Sequence, residues 1–266
     1  MYIIMWFLEL SPVLQGLIAT LFTYFVTALG AGVVFFFKSV NQKVLDLMMA
    51  FAAGVMISAS FWSLLNPAAE ILNALGSKSA WFVITLGFLL GGLFVIGADI
   101  IMAKATLLRA KSPGAKRSVL LALSVTLHNI PEGLAVGVAF GSAAIGIEGA
   151  SVIGAVMLAF GIAIQNFPEG ICVAMPLRRE GYTRRKSFFV GQASGIVEPF
   201  AGVVGVMFAM TMRRILPFTL AFSAGAMIAV ACVELIPEAC KNNKVAASLG
   251  VILGFAVMMA LDVALG

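Results

Sequence analysis

The heptapeptide Leu127-His-Asn-Ile-Pro-Glu-Gly133 recurs as Ile164-Gln-Asn-Phe-Pro-Glu-Gly170. Each copy lies inside an apolar stretch long enough to cross a bilayer, for which about 20 residues suffice. In each copy the first polar residue and the glutamate are four positions apart, so a helix places both on one face. The intervening proline removes a backbone hydrogen bond, which at membrane depth is tolerated only beside protein or a polar cavity. The repeat therefore predicts polar side chains that converge within the membrane.

The composition of the 266-residue chain indicates an integral membrane protein. Hydrophobic residues make up 62% of it and charged residues 11%, and the mean hydropathy is +1.09. Such a chain has too little polar surface to cover a soluble globule. Apolar runs of about 20 residues predict eight spans within a single transmembrane domain, residues 1–266. The spans lie near 13–37, 44–71, 81–103, 118–140, 151–176, 188–210, 217–238 and 245–265.

The distribution of basic residues predicts the orientation of the chain. All but Lys78, Arg213 and Arg214 of the 17 basic residues fall in or beside alternate loops, including the long basic loop 104–117. Because cytoplasmic loops carry the excess of lysine and arginine, we expect both termini outside, in a multi-pass protein of the cell membrane. The formal net charge of +5 then reflects orientation, and nucleic acid is not an expected partner.

The two copies of the motif lie on the fourth and fifth predicted spans, which run antiparallel because they follow one another. One motif on two antiparallel helices predicts an inverted repeat about an axis in the membrane plane. Three spans remain on each side, so the expected fold is an all-α bundle of eight transmembrane helices in a 3 + 2 + 3 arrangement. Transporters built from such repeats bind their substrate near the middle of the bilayer.

The polar side chains of the repeat, together with Glu198 of the sixth span, predict a metal site. By helical rise, His128, Glu132, Gln165, Glu169 and Glu198 all lie near the middle of their spans. An ionisable group at that depth costs roughly 2.5–3.5 kcal/mol and needs a partner. No basic residue is expected nearby, so a divalent metal is the simplest counter-charge. One imidazole with amide and carboxylate oxygens suits zinc, iron(II), manganese or cobalt.

Further acidic residues near the ends of the predicted spans mark a path for the ion. Glu70 and Asp262 fall near the outer ends of the second and eighth spans and indicate an entrance. Asp99, Glu234 and Glu238 fall near the inner ends of the third and seventh spans and indicate an exit. The last two are four positions apart, so their carboxylates repel each other unless a cation or proton intervenes. A solvated helix end is an equally good interpretation of each single acid.

The two motifs resemble those of the ZIP family of divalent metal transporters. Residues 128–133 match the family pattern His-Asn-x-Pro-Glu-Gly of the fourth span, and 165–170 match the related pattern of the fifth. The resemblance implies a transporter, not an enzyme, that carries zinc or else iron(II), cadmium, manganese or cobalt and holds no other cofactor. It implies that Met56, Ser63 and Glu70 line an entrance. The implied ligands are His128, Asn129, Glu132, Gln165, Asn166, Glu169 and Glu198, the two asparagines belonging to a neighbouring second metal position.

Two departures from the family pattern affect these expectations. Gln165 stands where many zinc-selective members carry histidine, so selectivity for zinc is not implied. Val233, before Glu234, stands where some relatives carry a histidine, which weakens the case for an inner accessory site.

Three functions are therefore weighed. The first is a secondary transporter that moves zinc or related ions into the cytoplasm by alternating access, with the lipid bilayer as its surroundings and a homodimer as one expected assembly. The second is an intramembrane hydrolase in which His128 and Glu132 hold a metal that activates water. Against it, the chain has no HExxH motif and no spare carboxylate base. The third is an ion channel, which agrees less well with ligands gathered in one dense site.

Overall fold

The computed structural model describes residues 2–37, 41–107, 113–147, 150–211 and 215–265. Within these ranges the chain is helical and contains no strand. The helices are α1 (Tyr2–Glu9), α2 (Pro12–Phe36), α3 (Gln42–Ala74), α4 (Ala80–Leu107), α5 (Pro113–Ala144), α6 (Val152–Arg179), α7 (Arg184–Thr211), α8 (Leu216–Ala239) and α9 (Lys244–Leu265).

Each of the eight predicted spans corresponds to one of the helices α2 to α9. Among the described residues, 7 helices are long and apolar enough to cross a membrane, namely all of α2 to α9 except α5. α5 contains the fourth predicted span, 118–140. The prediction of an all-α, multi-pass membrane protein is therefore confirmed.

The connection between α4 and α5 is shorter than the sequence predicts. α4 continues to Leu107 and α5 begins at Pro113, so both ends of the predicted loop 104–117 are helical. These ends are rich in lysine, arginine, alanine and leucine, which favour helix. Residues 108–112 lie outside the described part of the chain.

Small polar residues begin several of the apolar helices. The side chains of Ser11, Asn41, Ser151 and Thr183 each accept a hydrogen bond from a backbone N–H in the first turn of α2, α3, α6 and α7, at 2.9–3.4 Å. These bonds satisfy N–H groups that have no partner within the helix. The helices therefore start where apolar periodicity and a capping residue coincide.

Helices α3 and α8 each widen into a π-helical turn just before a proline. The turn is Ser60–Leu65 in α3, before Pro67, and Ala231–Leu235 in α8, before Pro237. A proline lacks the N–H that would bond four residues back, and its ring crowds that carbonyl. The preceding turn therefore departs from regular α-helical hydrogen bonding.

Four closely packed helix pairs form the bundle: α2 with α6, α5 with α7, α3 with α9, and α4 with α8. Glycines lie where the backbones touch. In the pair α4/α8, a methyl group on Gly91 would lie 1.9 Å from the carbonyl oxygen of Phe222, and one on Gly225 would lie 1.9 Å from that of Phe88. Only glycine permits such an approach, so these crossings depend on small residues.

Two of the other pairs also bring a glycine of one helix against a backbone carbonyl of its partner. In α3/α9 a methyl group on Gly54 would lie 2.1 Å from the Val251 oxygen. In α2/α6 the corresponding contact joins Gly170 to the Thr27 oxygen, also at 2.1 Å. The same packing device is thus repeated in different pairs.

The pairs assemble into two groups. The site bundle comprises α2, α5, α6 and α7, and the flanking bundle comprises α3, α4, α8 and α9. The bundles meet mainly where α3 packs on α6 and where α8 packs on α5. Since one copy of the motif lies on α5 and the other on α6, the polar repeat falls inside the site bundle.

Candidate metal site

The predicted ligands come together where α5, α6 and α7 meet. α5 and α6 continue as helices through Pro131 and Pro168, so the four-residue spacing of each motif is kept on one face. The side chain of His128 lies outside the described part of the structure, although its backbone belongs to α5. The other six predicted ligands are all buried: Asn129, Glu132, Gln165, Asn166, Glu169 and Glu198.

A hydrogen bond joins the two copies of the motif. The amide nitrogen Nε2 of Gln165 on α6 donates to the carboxylate oxygen Oε1 of Glu132 on α5. Oε2 of Glu132 and Oε1 of Gln165 have no hydrogen-bond partner. Each of these two side chains therefore keeps one oxygen available for a ligand.

A break in α7 places Glu198. The helix is interrupted at Gly195 and Ile196 and resumes at Val197, which puts Glu198 in the first turn of the second segment. Pro199 cannot donate to the carbonyl of Gly195 four residues earlier, and that oxygen instead accepts from the Glu198 N–H at 3.0 Å. The break therefore precedes Pro199 by about one turn.

Asn166 and Glu198 form a second cross-helix contact. Nδ2 of Asn166 lies 2.9 Å from Oε1 and 3.0 Å from Oε2 of Glu198. It also lies 3.2 Å from the carbonyl oxygen of Thr23 on α2. The hydroxyl of Thr23 donates to Oε2 of Glu198. Helices α2, α6 and α7 are therefore joined at the site by this network.

The three amide side chains of the site all turn their nitrogen towards a protein acceptor. Each donates through its nitrogen: Asn129 to the carbonyl of Ser194 at 2.8 Å, Gln165 to Glu132, and Asn166 to Glu198. The carbonyl oxygen of each amide, in contrast, is buried without a partner. Because an amide nitrogen cannot bind a cation and its oxygen can, these bonds leave the metal-binding atom free.

The carboxylates of the site have no lysine or arginine as a partner in the part of the chain that the structure describes. Both oxygens of Glu169 are buried and unpartnered, and Glu132 and Glu198 lie close enough for their charges to interact with that of Glu169. No lysine or arginine is among the buried residues of the described ranges. Carboxylates and thiols alone form no group of three placed to hold an ion in those ranges.

Three of the predicted entrance residues share a cavity. Ser63, Glu70 and Asp262 line a space of about 410 Å³ between α3, α5, α6, α8 and α9. The Ser63 hydroxyl donates to Oδ1 of Asp262 at 2.8 Å, and Oδ2 of Asp262 has no partner. Met56, predicted with them, is fully buried in the apolar core and does not line this cavity. The unbranched apolar Met56 side chain packs in the core instead of facing the cavity.

The three predicted exit residues form no group that could hold an ion among the described residues. Asp99 is half-buried on α4, and Glu234 lies in the π-helical turn of α8. Glu238 forms an ion pair with Lys241, three residues further on. We expected a positive charge beside Glu234 and Glu238. For Glu238 this charge comes from Lys241.

Some residues that contact the predicted ligands escaped the sequence analysis. Thr23 and Ser194 contact predicted ligands through a hydroxyl and a backbone carbonyl. The buried threonines 20, 23 and 27 recur on one face of α2, and this polar stripe is a signal that could have identified the first. No sequence pattern marks the carbonyl of Ser194. The break in α7 leaves this carbonyl without its helical hydrogen bond, so that it can accept one from Asn129.

Comparison with known proteins identifies the class of this membrane transporter. A family model described as "ZIP Zinc transporter" matches residues 109–262. The chain is 40% identical to zinc transporter ZIP11 of Bos taurus, over 96% of this chain and 98% of the relative. It is 34% identical to zinc transporter GufA of Myxococcus xanthus over 94% and 99%, and 35% identical to zinc transporter ZupT of Lysinibacillus sphaericus over 90% and 93%.

The chain therefore belongs to the ZIP zinc transporter family. It is a divalent metal transporter and not an enzyme, as the motifs on α5 and α6 predict. The alternative of an intramembrane hydrolase has no support among these relatives.

Proposed function

We propose that this protein carries zinc across the cell membrane into the cytoplasm by alternating access. Iron(II), cadmium, manganese and cobalt are further proposed substrates, because oxygen and imidazole ligands accept all of them. Location in the cell membrane with both termini outside, and assembly as a homodimer, belong to the same proposal. The proposed ligands are His128, Asn129, Glu132, Gln165, Asn166, Glu169 and Glu198.

One observation carries the proposal: six buried oxygen atoms at the site have no hydrogen-bond partner. They belong to Asn129, Glu132, Gln165, Asn166 and, with both oxygens, Glu169. A buried acceptor without a partner costs about 1–3 kcal/mol, and a charged one costs more. A divalent cation offsets that cost for several oxygens at once and neutralises the carboxylates. Relatives named as zinc transporters favour zinc as that cation.

The helix pairs support an inverted repeat with 3 + 2 + 3 order. Such a repeat relates α2, α3 and α4 to α7, α8 and α9, and α5 to α6. The pair α2/α6 then corresponds to α7/α5, and α3/α9 to α8/α4, which are the pairs that pack most closely. The segments 53–57 and 224–228 share the sequence Ala-Gly-x-Met-Ile on α3 and α8, which the same relation superimposes.

The division into two bundles supports alternating access. The proposed ligands all lie on α5, α6 and α7, so the site bundle carries the ion as one unit. A shift of the site bundle against the flanking bundle exposes the ion to one side and then the other while its ligands stay together. The glycine contacts within each pair suit such a rigid-body motion, because they keep the paired backbones in close contact.

The proposed path begins in the cavity lined by Ser63, Glu70 and Asp262. Its walls include Ala139 and Leu158, each seven positions along its helix from Glu132 and Gln165 respectively, or about 10 Å at 1.5 Å per residue. The acids Asp99, Glu234 and Glu238 are the proposed exit, and Met56 belongs to the proposed entrance only if the buried packing around it opens during transport.

Zinc uptake by purified protein in sealed vesicles tests this function. Wild type should show saturable uptake, and Glu169→Gln, which keeps the side-chain volume and removes its charge, should lower uptake at least about 100-fold. Glu180→Gln is the matched control, because Glu180 is exposed at the end of the same helix. Equal uptake by wild type and Glu169→Gln, with both inserted and monodisperse, would contradict the proposed site.

A further inference from the structure

Glu198 differs from the other carboxylates of the site because the protein itself supplies its hydrogen-bond donors. Nδ2 of Asn166 lies 2.9 Å from Oε1 and 3.0 Å from Oε2 of Glu198. The hydroxyl of Thr23 donates to Oε2, and the side chain of Thr27 also forms a hydrogen bond to this carboxylate. Each of these donors is neutral. Glu198 is therefore stabilised at the site without a metal ion.

The amide nitrogen of Asn166 lies where a cation bound by both oxygens of Glu198 would lie. It is almost equally far from the two carboxylate oxygens, and the carbonyl oxygen of Thr23, at 3.2 Å, is its third acceptor. An amide oxygen at this place would face three acceptors, so the nitrogen is the atom that belongs there. Oδ1 of Asn166 has no partner among the described residues and remains available to an ion.

Glu132 and Glu169 are the carboxylates of the site that still need a cation. In the described part of the chain, Oε2 of Glu132 and both oxygens of Glu169 have no hydrogen-bond partner. Two carboxylates together carry the charge that one divalent ion neutralises. A second ion beside Glu198 would have to displace the Asn166 nitrogen and leave one of its buried N–H groups without an acceptor, which is unfavourable.

We infer that the amide nitrogen of Asn166 occupies the position of a second metal ion beside Glu198, so that the transport site of this chain holds one divalent ion at a time. The inference rests on the proposed function and deepens it, since it sets how many ions one transport cycle carries. The ion lies among the free oxygens of Glu132, Glu169 and the amides. Glu198 orients Asn166 towards that ion, and it becomes a ligand only of an ion that displaces the amide.

The test counts zinc ions in purified, untagged protein after equilibrium dialysis, by elemental analysis. Asn166→Asp keeps the shape of the side chain but replaces the N–H donor with a carboxylate oxygen, which can share a cation with Glu198 and cannot donate to it. Wild type should bind about one ion at the site and Asn166→Asp about two. Ions that Glu169→Gln still binds are subtracted, because they lie outside the site.

Two further variants separate this explanation from a general effect of charge. Glu198→Gln should still bind about one ion, and Asn166→Asp combined with Glu198→Gln should return from about two ions to about one, since the second ion needs both carboxylates. Asn242→Asp is the matched control. Nδ2 of Asn242 also donates to a buried carboxylate, that of Asp46, at 2.7 Å, but this pair lies outside the site, so the count should stay at the wild-type value.

A second ion in wild type, an unchanged count in Asn166→Asp, or loss of the ion in Glu198→Gln overturns the inference while zinc binding still supports the proposed function. Equal binding by wild type and Glu169→Gln overturns the proposed site itself. If Asn166→Asp does not insert, the counts in wild type and Glu198→Gln decide. X-ray absorption at the zinc edge gives an independent measurement: scattering between neighbouring zinc ions should appear in Asn166→Asp and be absent in wild type, and its presence in wild type would contradict the inference.

Discussion

The site bundle and the flanking bundle are built on the same glycine contacts but bury different side chains. In the described ranges, every buried glutamate, asparagine, glutamine and threonine lies on α2, α5, α6 or α7. The flanking bundle buries three serines and Asp46. Its other described acids, such as Glu70 and Asp262, remain exposed or half-buried. The shared scaffold therefore sets how closely the helices approach, and the side chains decide where an ion can bind.

Asp46 shows why a buried acid alone is not a metal ligand. Its two carboxylate oxygens accept hydrogen bonds from Gln42 and Asn242, both at 2.7 Å, which ties α3 to the turn that follows α8. Glu169 of the site bundle is buried to a similar degree and has no such donors. The difference between the two acids lies in their partners, since only Glu169 lacks them.

The largest effect is expected where the scaffold itself is disturbed. Gly225→Ala places a methyl group 1.9 Å from the Phe88 oxygen, and such overpacking against backbone should destabilise the protein by about 1–3 kcal/mol. Gly97→Ala is the control on α4, because no atom lies within 4 Å of its added methyl group. Thermal unfolding in detergent measures both. Equal stability of the two variants would mean that the close crossing of α4 and α8 is not needed.

A change within the site bundle should alter ion preference without altering the fold. Gln165→His adds a nitrogen ligand, which favours zinc over manganese and should raise the uptake ratio of the two by about tenfold. Gln15→His is the matched control, because Gln15 of α2 is also buried but bonds to the carbonyls of Phe7 and Leu8 of α1. An unchanged ratio in Gln165→His would show that this side chain does not touch the ion.

The smallest effect is expected from a substitution in the cavity between the bundles. A carboxylate there concentrates cations but does not hold the ion during transport, so Asp262→Asn should raise KM for zinc about two- to fivefold at low salt with kcat nearly unchanged. Glu9→Gln, an exposed acid of α1, should leave KM unchanged. A fall in kcat for Asp262→Asn would instead assign Asp262 to the transport step.

Much of the fold and part of the site could be predicted from local patterns. Hydropathy located helices α2 to α9, of which seven are apolar enough to cross a membrane in the described ranges. The four-residue spacing placed Glu132 and Gln165 on helix faces that meet through a hydrogen bond. Of the residues predicted at the entrance, Ser63, Glu70 and Asp262 share a cavity whereas Met56 is buried, and their role in ion entry stays a prediction. Whether a methionine faces a cavity or the core depends on neighbouring helices, which the composition of its own helix does not specify.

The sequence by itself determined that this is an α-helical metal transporter of the membrane, because hydropathy, helical periodicity and a repeated motif are properties of short segments. Only the tertiary structure decided which helices pair, that Thr23 reaches Glu198 across 175 positions, and that each amide turns its nitrogen to a protein partner and leaves its oxygen free. These features depend on contacts between distant segments. Their geometry is set by the close approach of backbones at glycines and by the break before Pro199, and no local pattern encodes the distance between two helices.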